Sequence, residues 1–268
     1  MDLSQFSLEG RVAIVTGSGS GIGKAMALAF ANAGADLVSA DVNGETAEAT
    51  AAAVRKLGRE ALSLRVDVRD KQQIENMAAE AIKRFKKIDV MVNNAGYGFM
   101  TVPVVEMTEE DWDDRIVLNL KSTFLCCKVI GKIMKNQKRG VIINMASMAA
   151  LGAYPMGSNY AAAKAGIRNL TETLAVELGP YNIRVNALAP GVILTPLTEE
   201  LYAKRPELKA VRLTQVPLQR LGTPTDIANV TLFLASDAAG YVSGHTIPIN
   251  GAMPTFVTPE LIAELAKR

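Results

Sequence analysis

The sequence is short of the residues that staple, ligate or carry a dominant charge. Of 268 residues only two are cysteine, Cys126 and Cys127, and one is histidine, His245. Adjacent cysteines on a helical pattern point in different directions and build no disulfide framework, so they read as small buried hydrophobes. No metal site is expected. Aromatic residues make up 5% against 49% hydrophobic, which leaves a core of Ala, Val, Ile and Leu. The charge balance is +2, with 29 basic and 27 acidic residues. The basic clusters at 83–87 and 135–139 fall at expected helix ends, where cations complement the dipole. Neither a nucleic acid nor a membrane is an expected partner. No apolar run approaches the ~18 residues of a membrane span, and Asp2 and Glu9 leave the N-terminus unlike a signal peptide. A soluble, cytoplasmic protein is expected.

What is present is alternation. Short apolar runs at 12–15, 37–40, 62–66, 90–92, 141–144, 185–188 and 246–249 are separated by helical patterns. Those patterns lie near 21–33, 44–57, 70–86, 109–137, 158–178 and 225–235. Strand–helix–strand repetition predicts a parallel, Rossmann-type doubly wound α/β sheet of about seven strands with helices on both faces. No linker or repeat divides the chain, so residues 1–268 read as one dinucleotide-binding and catalytic domain. Residues 191–222 carry no strand signal and read as a flap over the sheet's carboxyl edge, where ligands bind in this architecture. A C-terminal extension covers 252–268.

The first strand runs into Thr16-Gly17-Ser18-Gly19-Ser20-Gly21-Ile22-Gly23. Ile22 stands where the third glycine of G-x-G-x-x-G belongs, so the spacing that fits is T-G-x-x-x-G-I-G. Gly17 permits the tight turn, Gly21 lets a pyrophosphate approach backbone, and Gly23 lets the helix pack on the strand. Asp41 ends the second strand, eighteen residues after Gly23. A carboxylate there accepts from adenosine ribose hydroxyls and repels a 2′-phosphate, which predicts NAD rather than NADP.

Tyr160 and Lys164 are four apart at the start of a helical pattern and share a face. A cation beside a phenol is expected to lower its pKa. Ser147 follows the strand at 141–144, placed to donate to a substrate carbonyl. Asn93-Asn94-Ala95-Gly96 follows the fourth strand, Asn119 lies in the pattern 109–137, and Pro190, Gly191 and Thr195 lie downstream.

From about Arg11 to Gly251 these motifs, in this order, resemble the short-chain dehydrogenase/reductase family. The resemblance implies Tyr160 as general acid/base and Lys164 as a ligand of the nicotinamide ribose that depresses the tyrosine pKa. Ser147 would polarise the substrate oxygen, and Asn119 would support a water relay from Lys164. Ser20 and Ile22 would complete the phosphate loop. Asp67 and Val68 match an adenine-contacting pair, Asn94, Ala95 and Gly96 the adenosine side, and Ile193 and Thr195 the carboxamide contacts. Hydride transfer would use the pro-S face of nicotinamide. The departures are Met145-Ala146 before the serine and His245 where glutamine is frequent. A twofold-symmetric homotetramer is implied, built on the patterns 109–137 and 158–178 with Leu118, Phe124, Leu125, Val129, Leu174 and Val176 as surplus apolar residues. The extension is expected to reach across a subunit interface.

Tyr97, Met148, Leu151, Tyr154, Val192 and Leu197, with Ser147 and Tyr160, are the expected substrate contacts. They suit a cyclic alcohol, a hydroxysteroid-like compound or a sugar or polyol. The alternative within the family is a 3-oxoacyl-carrier-protein reductase, normally NADPH-linked, against which Asp41 speaks. A non-catalytic cofactor-binding scaffold would lack Tyr160 or Lys164, and both are present.

Overall fold

Glycine-and-alanine-rich helices and β-branched strands assemble as their periodicities require. The computed structural model describes residues 3–98, 102–255 and 258–266; residues 1–2 and 99–101, and 256–257 and 267–268 of the extension, lie outside them. Among the described residues one seven-stranded sheet has the order β3-β2-β1-β4-β5-β6-β7, and every pairing is parallel. The strands are β1 (Val12–Thr16), β2 (Asp36–Asp41), β3 (Ala61–Arg65), β4 (Val90–Asn93), β5 (Gly140–Met145), β6 (Ile183–Pro190) and β7 (Thr246–Ile249). β1, β4 and β5 are buried at every residue, as expected of strands covered on both faces.

The helices are α1 (Gly21–Asn32), α2 (Gly44–Lys56), α3 (Lys71–Phe85), α4 (Glu109–Arg115), α5 (Ser122–Gln137), α6 (Ser158–Leu178), α7 (Pro196–Lys204), α8 (Pro206–Thr214), α9 (Pro224–Ala235) and α10 (Pro259–Ala266). Side-chain oxygens start several of them: Asn43 caps α2, Asp70 caps α3, and Thr223 forms a capping box on α9. One face of the sheet packs Met26, Phe30, Ile227 and Leu234 from α1 and α9. The other packs Ile74, Met77, Ile130 and Met134 from α3 and α5.

The pattern 109–137 is not one helix. A π-helical turn, Ile116–Lys121, separates α4 from α5, and it carries the fully buried Asn119. Such turns widen the helix to re-aim a side chain and are frequent at functional sites. Nor are the six apolar residues read as surplus equally free. Leu125 belongs to the core, and Leu118, Val129 and Leu174 pack against it, which leaves Phe124 and Val176 exposed.

The segment 191–222 folds into α7 and α8 around a small core of its own, Tyr202, Leu208, Val216 and Leu221. The extension lays α10 against α8 of the same chain. Arg205 donates to Glu264 Oε1 at 3.1 Å between them. Among the described residues no helix is long and apolar enough to cross a membrane.

Candidate active site

Chain order reverses on the sheet between β1 and β4, because β2 and β3 run to one side and β4 to β7 to the other. At that switch point the loops diverge and leave a crevice at the carboxyl edge. A cavity of about 620 Å³ occupies it, lined from the glycine loop at one end to α8 and Thr255 at the other.

The loop is shaped by steric necessity. Gly17 adopts φ +64°, and a Cβ on Gly23 would collide with the Gly17 carbonyl. The Asn94 amide, expected to line the adenosine side, is turned onto the loop: it donates to Thr16 O at 2.9 Å and Gly17 O at 3.1 Å. The Thr16 hydroxyl accepts from the Asn94 and Ala95 N–H groups at 3.1 and 3.2 Å. Ser20 opens α1 without a side-chain cap bond. A Cβ on Gly21 would stand 3.4 Å from Thr195, so the N-terminal ends of α1 and α7 lie close together at the cavity. Two helix N-termini and a cradle that any Cβ would fill suit the pyrophosphate of a dinucleotide.

Asp41 is held at the end of β2 by two backbone donors. Gly19 N–H reaches Oδ2 and Asn43 N–H reaches Oδ1, both at 2.9 Å. Neither Lys24 nor Arg65 lines the cavity beside it. Asp67 and Val68 line the same end. Arg69 binds the Asp67 carboxylate through two nitrogens and holds its pKa below the usual range.

Tyr160 and Lys164 meet on the first turns of α6. The Lys164 ammonium lies 5.5 Å from the Tyr160 ring centroid and donates to Met145 O, at the end of β5, at 2.7 Å. Ser147 Oγ accepts from Ala149 N–H at 3.2 Å and lines the cavity with the Tyr160 phenol. Burial pushes that phenol up to about 12, opposed by the Ser147 hydroxyl, and pushes Lys164 down to about 7. α6 is fixed to the sheet by buried polar groups: Asn93 donates to Asn144 at 2.8 Å, and Asn144 to Thr171 at 2.9 Å.

Asn119 stands behind the cavity wall. Its Nδ2 donates to Arg115 O at 3.0 Å and Tyr97 O at 3.2 Å, while its buried Oδ1 has no partner among the described residues. Gly96 alone separates that oxygen from Lys164: a Cβ there would lie 2.5 Å from Asn119 Oδ1 and 3.8 Å from Lys164 Nζ. A buried acceptor left open costs free energy unless water or a ligand reaches it. It is the group that a relay starting at Lys164 would use.

Every other residue expected to contact cofactor or substrate lines the cavity, including Ile22, Ala95, Pro190, Gly191, Ile193, Tyr97, Met148, Tyr154, Val192 and Leu197, with the exception of Leu151. Leu151 closes the short turn after Met148 and does not line the wall. His245 engages only through its backbone, accepting from Ala187 N–H at 2.8 Å and donating to Asn186 at 3.1 Å, away from the cavity. Sequence reading missed Asp114, Tyr202, Arg212, Gln215, Met253 and Thr255, all of which line the wall. They come from α4, the flap and the extension, and none carries a local motif. Among the described residues no group of three or more His, Cys, Asp or Glu could hold a metal ion. Burial raises both cysteine thiols, so neither is reactive.

A family profile described as enoyl-(acyl carrier protein) reductase matches residues 17–253. The 3-oxoacyl-(acyl-carrier-protein) reductase of Thermotoga maritima is 41% identical over 246 residues, 92% of this chain and 98% of that protein. The (2S)-((R)-hydroxy(phenyl)methyl)succinyl-CoA dehydrogenase subunit BbsD of Thauera aromatica is 40% identical over 249 residues, 93% of this chain and 98% of that protein. A 7α-hydroxysteroid dehydrogenase solved with NADH and 7-oxo glycochenodeoxycholic acid superposes with a TM-score of 0.91 at 36% identity, covering 96% of this chain and all of that one. The parallel sheet, the glycine cradle and the Ser147–Tyr160–Lys164 cluster agree with these likenesses, and the chain belongs to the short-chain dehydrogenase/reductase family, as an oxidoreductase acting on a CH–OH or keto group.

Proposed function

We propose that the protein is an NAD(H)-linked oxidoreductase that interconverts a 3-oxoacyl thioester and its 3-hydroxyacyl counterpart. One observation carries the substrate: two differently named relatives, a 3-oxoacyl-carrier-protein reductase and a hydroxy(phenyl)methylsuccinyl-CoA dehydrogenase subunit, share a reacting carbon β to a thioester. This moves the emphasis from the cyclic alcohols, steroids and polyols favoured by the sequence to the acyl-thioester alternative. The cofactor choice stays with NAD(H). It rests on the Asp41 carboxylate, fixed by Gly19 and Asn43 with no cation beside it on the cavity wall except Arg69, which is bound to Asp67.

The glycine cradle and the N-termini of α1 and α7 would hold the pyrophosphate, Asp41 would accept from the adenosine ribose, and Ile193 and Thr195 would meet the carboxamide. Hydride transfer is the chemistry that a nicotinamide would supply when bound there. Ser147 donates to the substrate oxygen and orients it. Tyr160, kept protonated by burial, gives its proton to the oxygen as it gains charge during ketone reduction. Lys164 sits between Tyr160 and the open Asn119 oxygen and refills that proton through water. Tyr97, Met148, Tyr154, Val192 and Leu197 supply an apolar wall for the acyl chain.

The test is NADH oxidation with 3-oxobutanoyl-CoA, an N-acetylcysteamine 3-oxoacyl thioester, a cyclohexanone and a 7-oxosteroid. The thioesters should exceed the cyclic ketones at least tenfold in kcat/KM. A preference for the steroid would favour the second reading, a hydroxysteroid-type dehydrogenase, suggested by the 0.91 superposition. Self-association is part of the proposal. Phe124 and Val176, 44% and 79% exposed on α5 and α6, suit a helix-to-helix contact in a twofold tetramer. Light scattering that shows a monomer at micromolar concentration would refute it.

A further inference from the structure

Charge is distributed unevenly along the cavity. Its cofactor end carries three carboxylates, Asp41, Asp67 and Asp114. The arginine at that end, Arg69, binds Asp67 at 2.7 Å and stands 4.0 Å from Asp114. Lys164, midway, is engaged with Met145 O. At the flap end no carboxylate lines the wall, yet Arg212 does, and among the described residues it has no carboxylate partner. Its neighbours Arg205 and Arg220 are paired, with Glu264 at 3.1 Å and Asp226 at 2.7 Å.

Arg212 lies in the last turn of α8, where a cation also complements the helix dipole. That role needs no cavity, whereas this side chain is half-buried and faces one. Tyr202 from α7, only 7% exposed, stands close enough to feel its field. Burial raises the Tyr202 phenol, so it stays protonated and acts as a donor. Gln215 and Thr255 complete the same wall. An unpaired guanidinium beside a protonated phenol offers donors without an acceptor. Such a wall recognises an anion, and its partial shielding from water strengthens the attraction.

We propose that Arg212, assisted by Tyr202, forms a subsite for an anionic group that the substrate carries away from its reacting carbonyl. This rests on the acyl-thioester reading of the same cavity. Two parts of such a substrate could supply the anion: a carboxylate at the far end of the acyl chain, or a phosphate on a pantetheine arm. The cofactor's own phosphates are not candidates, because the glycine loop and the N-termini of α1 and α7, which would receive them, lie at the other end.

The experiment compares the full-length protein with Arg212→Ala and Arg212→Lys in NADH-linked reduction. One pair of substrates is the N-acetylcysteamine thioester of 3-oxoadipate and its terminal methyl ester. The other is 3-oxohexanoyl-CoA and the N-acetylcysteamine thioester of 3-oxohexanoate. In the unmodified protein the anionic member of one pair should be preferred. Arg212→Ala should lower that preference at least tenfold, through KM rather than kcat, and Arg212→Lys should retain part of it. Loss in the first pair assigns the carboxylate; loss in the second assigns the phosphate. Two results would overturn the subsite: neither preference depends on Arg212, or the NADH dissociation constant of Arg212→Ala rises as much as KM. Failure of the thioester reading is separate and would show as no turnover of the neutral thioesters by the unmodified protein. Calorimetry of hexanoate against hexanamide on the NADH-bound protein then decides. Weaker hexanoate binding in Arg212→Ala supports the subsite, and equal binding sinks it.

Discussion

The two ends of the cavity are built by different means. At the cofactor end, β1, α1 and β2 place Gly17, Gly23 and Asp41 on a sheet whose central strands are wholly buried, and the loop is tied by Asn94 and Thr16. At the flap end, α7 and α8 stand on four buried residues and on contacts with α10. The first end is rigid because strand pairing and close backbone packing allow one arrangement. The second depends on a small satellite core and a few ion pairs, which is the kind of region that opens locally at low cost. A dinucleotide is a constant ligand and suits the rigid end; under the proposed function substrate choice would reside in the adaptable one.

The comparison can be broken most severely where the two ends meet. Tyr160→Phe keeps the ring but removes the exchangeable proton, so turnover should fall ~10²–10⁴-fold. NADH binding, measured by fluorescence, should persist, because the glycine loop and Lys164 remain. Near-normal turnover would end the proton-transfer role. The same phenol sets the pH dependence. With its pKa raised by burial, Tyr160 is already protonated for ketone reduction at neutral pH and must lose its proton for alcohol oxidation. Oxidation should therefore climb by up to ~10-fold per pH unit below the working pKa, while reduction should not climb. Parallel profiles in the two directions would contradict this.

Asp41 sharpens the cofactor end. A 2′-phosphate brings roughly two negative charges to this carboxylate, and each like-charge pair at ~4 Å costs on the order of 4 kcal/mol before screening. NADH should be preferred over NADPH at least tenfold in kcat/KM, and Asp41→Ala should narrow the gap. Equal use of both by the unmodified protein would show that Asp41 does not select. The mildest effect is expected in the flap core. Leu208→Ala removes a 3%-exposed side chain from the cluster under α8 and leaves a cavity there. Substrate KM should rise several-fold, more than the NADH dissociation constant does. A larger change in NADH binding would mean that the two ends are not separable.

The central strands were readable because each is a short apolar run buried on both faces, and the Tyr160–Lys164 pair because four residues make nearly one helical turn. Asn119 was readable as a position within the family pattern, but the π-turn that aims it was not: residues 109–137 have continuous helical periodicity, and the widening is imposed by packing. The desolvation at Tyr160 and Lys164 was not readable either, since adjacency of a lysine is visible in sequence and burial is not. Arg212 left no trace, being one cation among 29 basic residues.

What the sequence by itself determined is local and periodic: the parallel sheet, the glycine turn with its required positive φ at Gly17, the acidic end of β2 and the shared face of Tyr160 and Lys164. These follow from backbone sterics, alternation and helical pitch, which act over a few residues. Only the tertiary structure decided that Asn119 faces Lys164 past Gly96, that Asn94 holds the loop, that α10 lies on α8, and that Arg212 enters the cavity with no carboxylate partner among the described residues. Those depend on contacts between residues far apart in the chain, and on the burial that such contacts create.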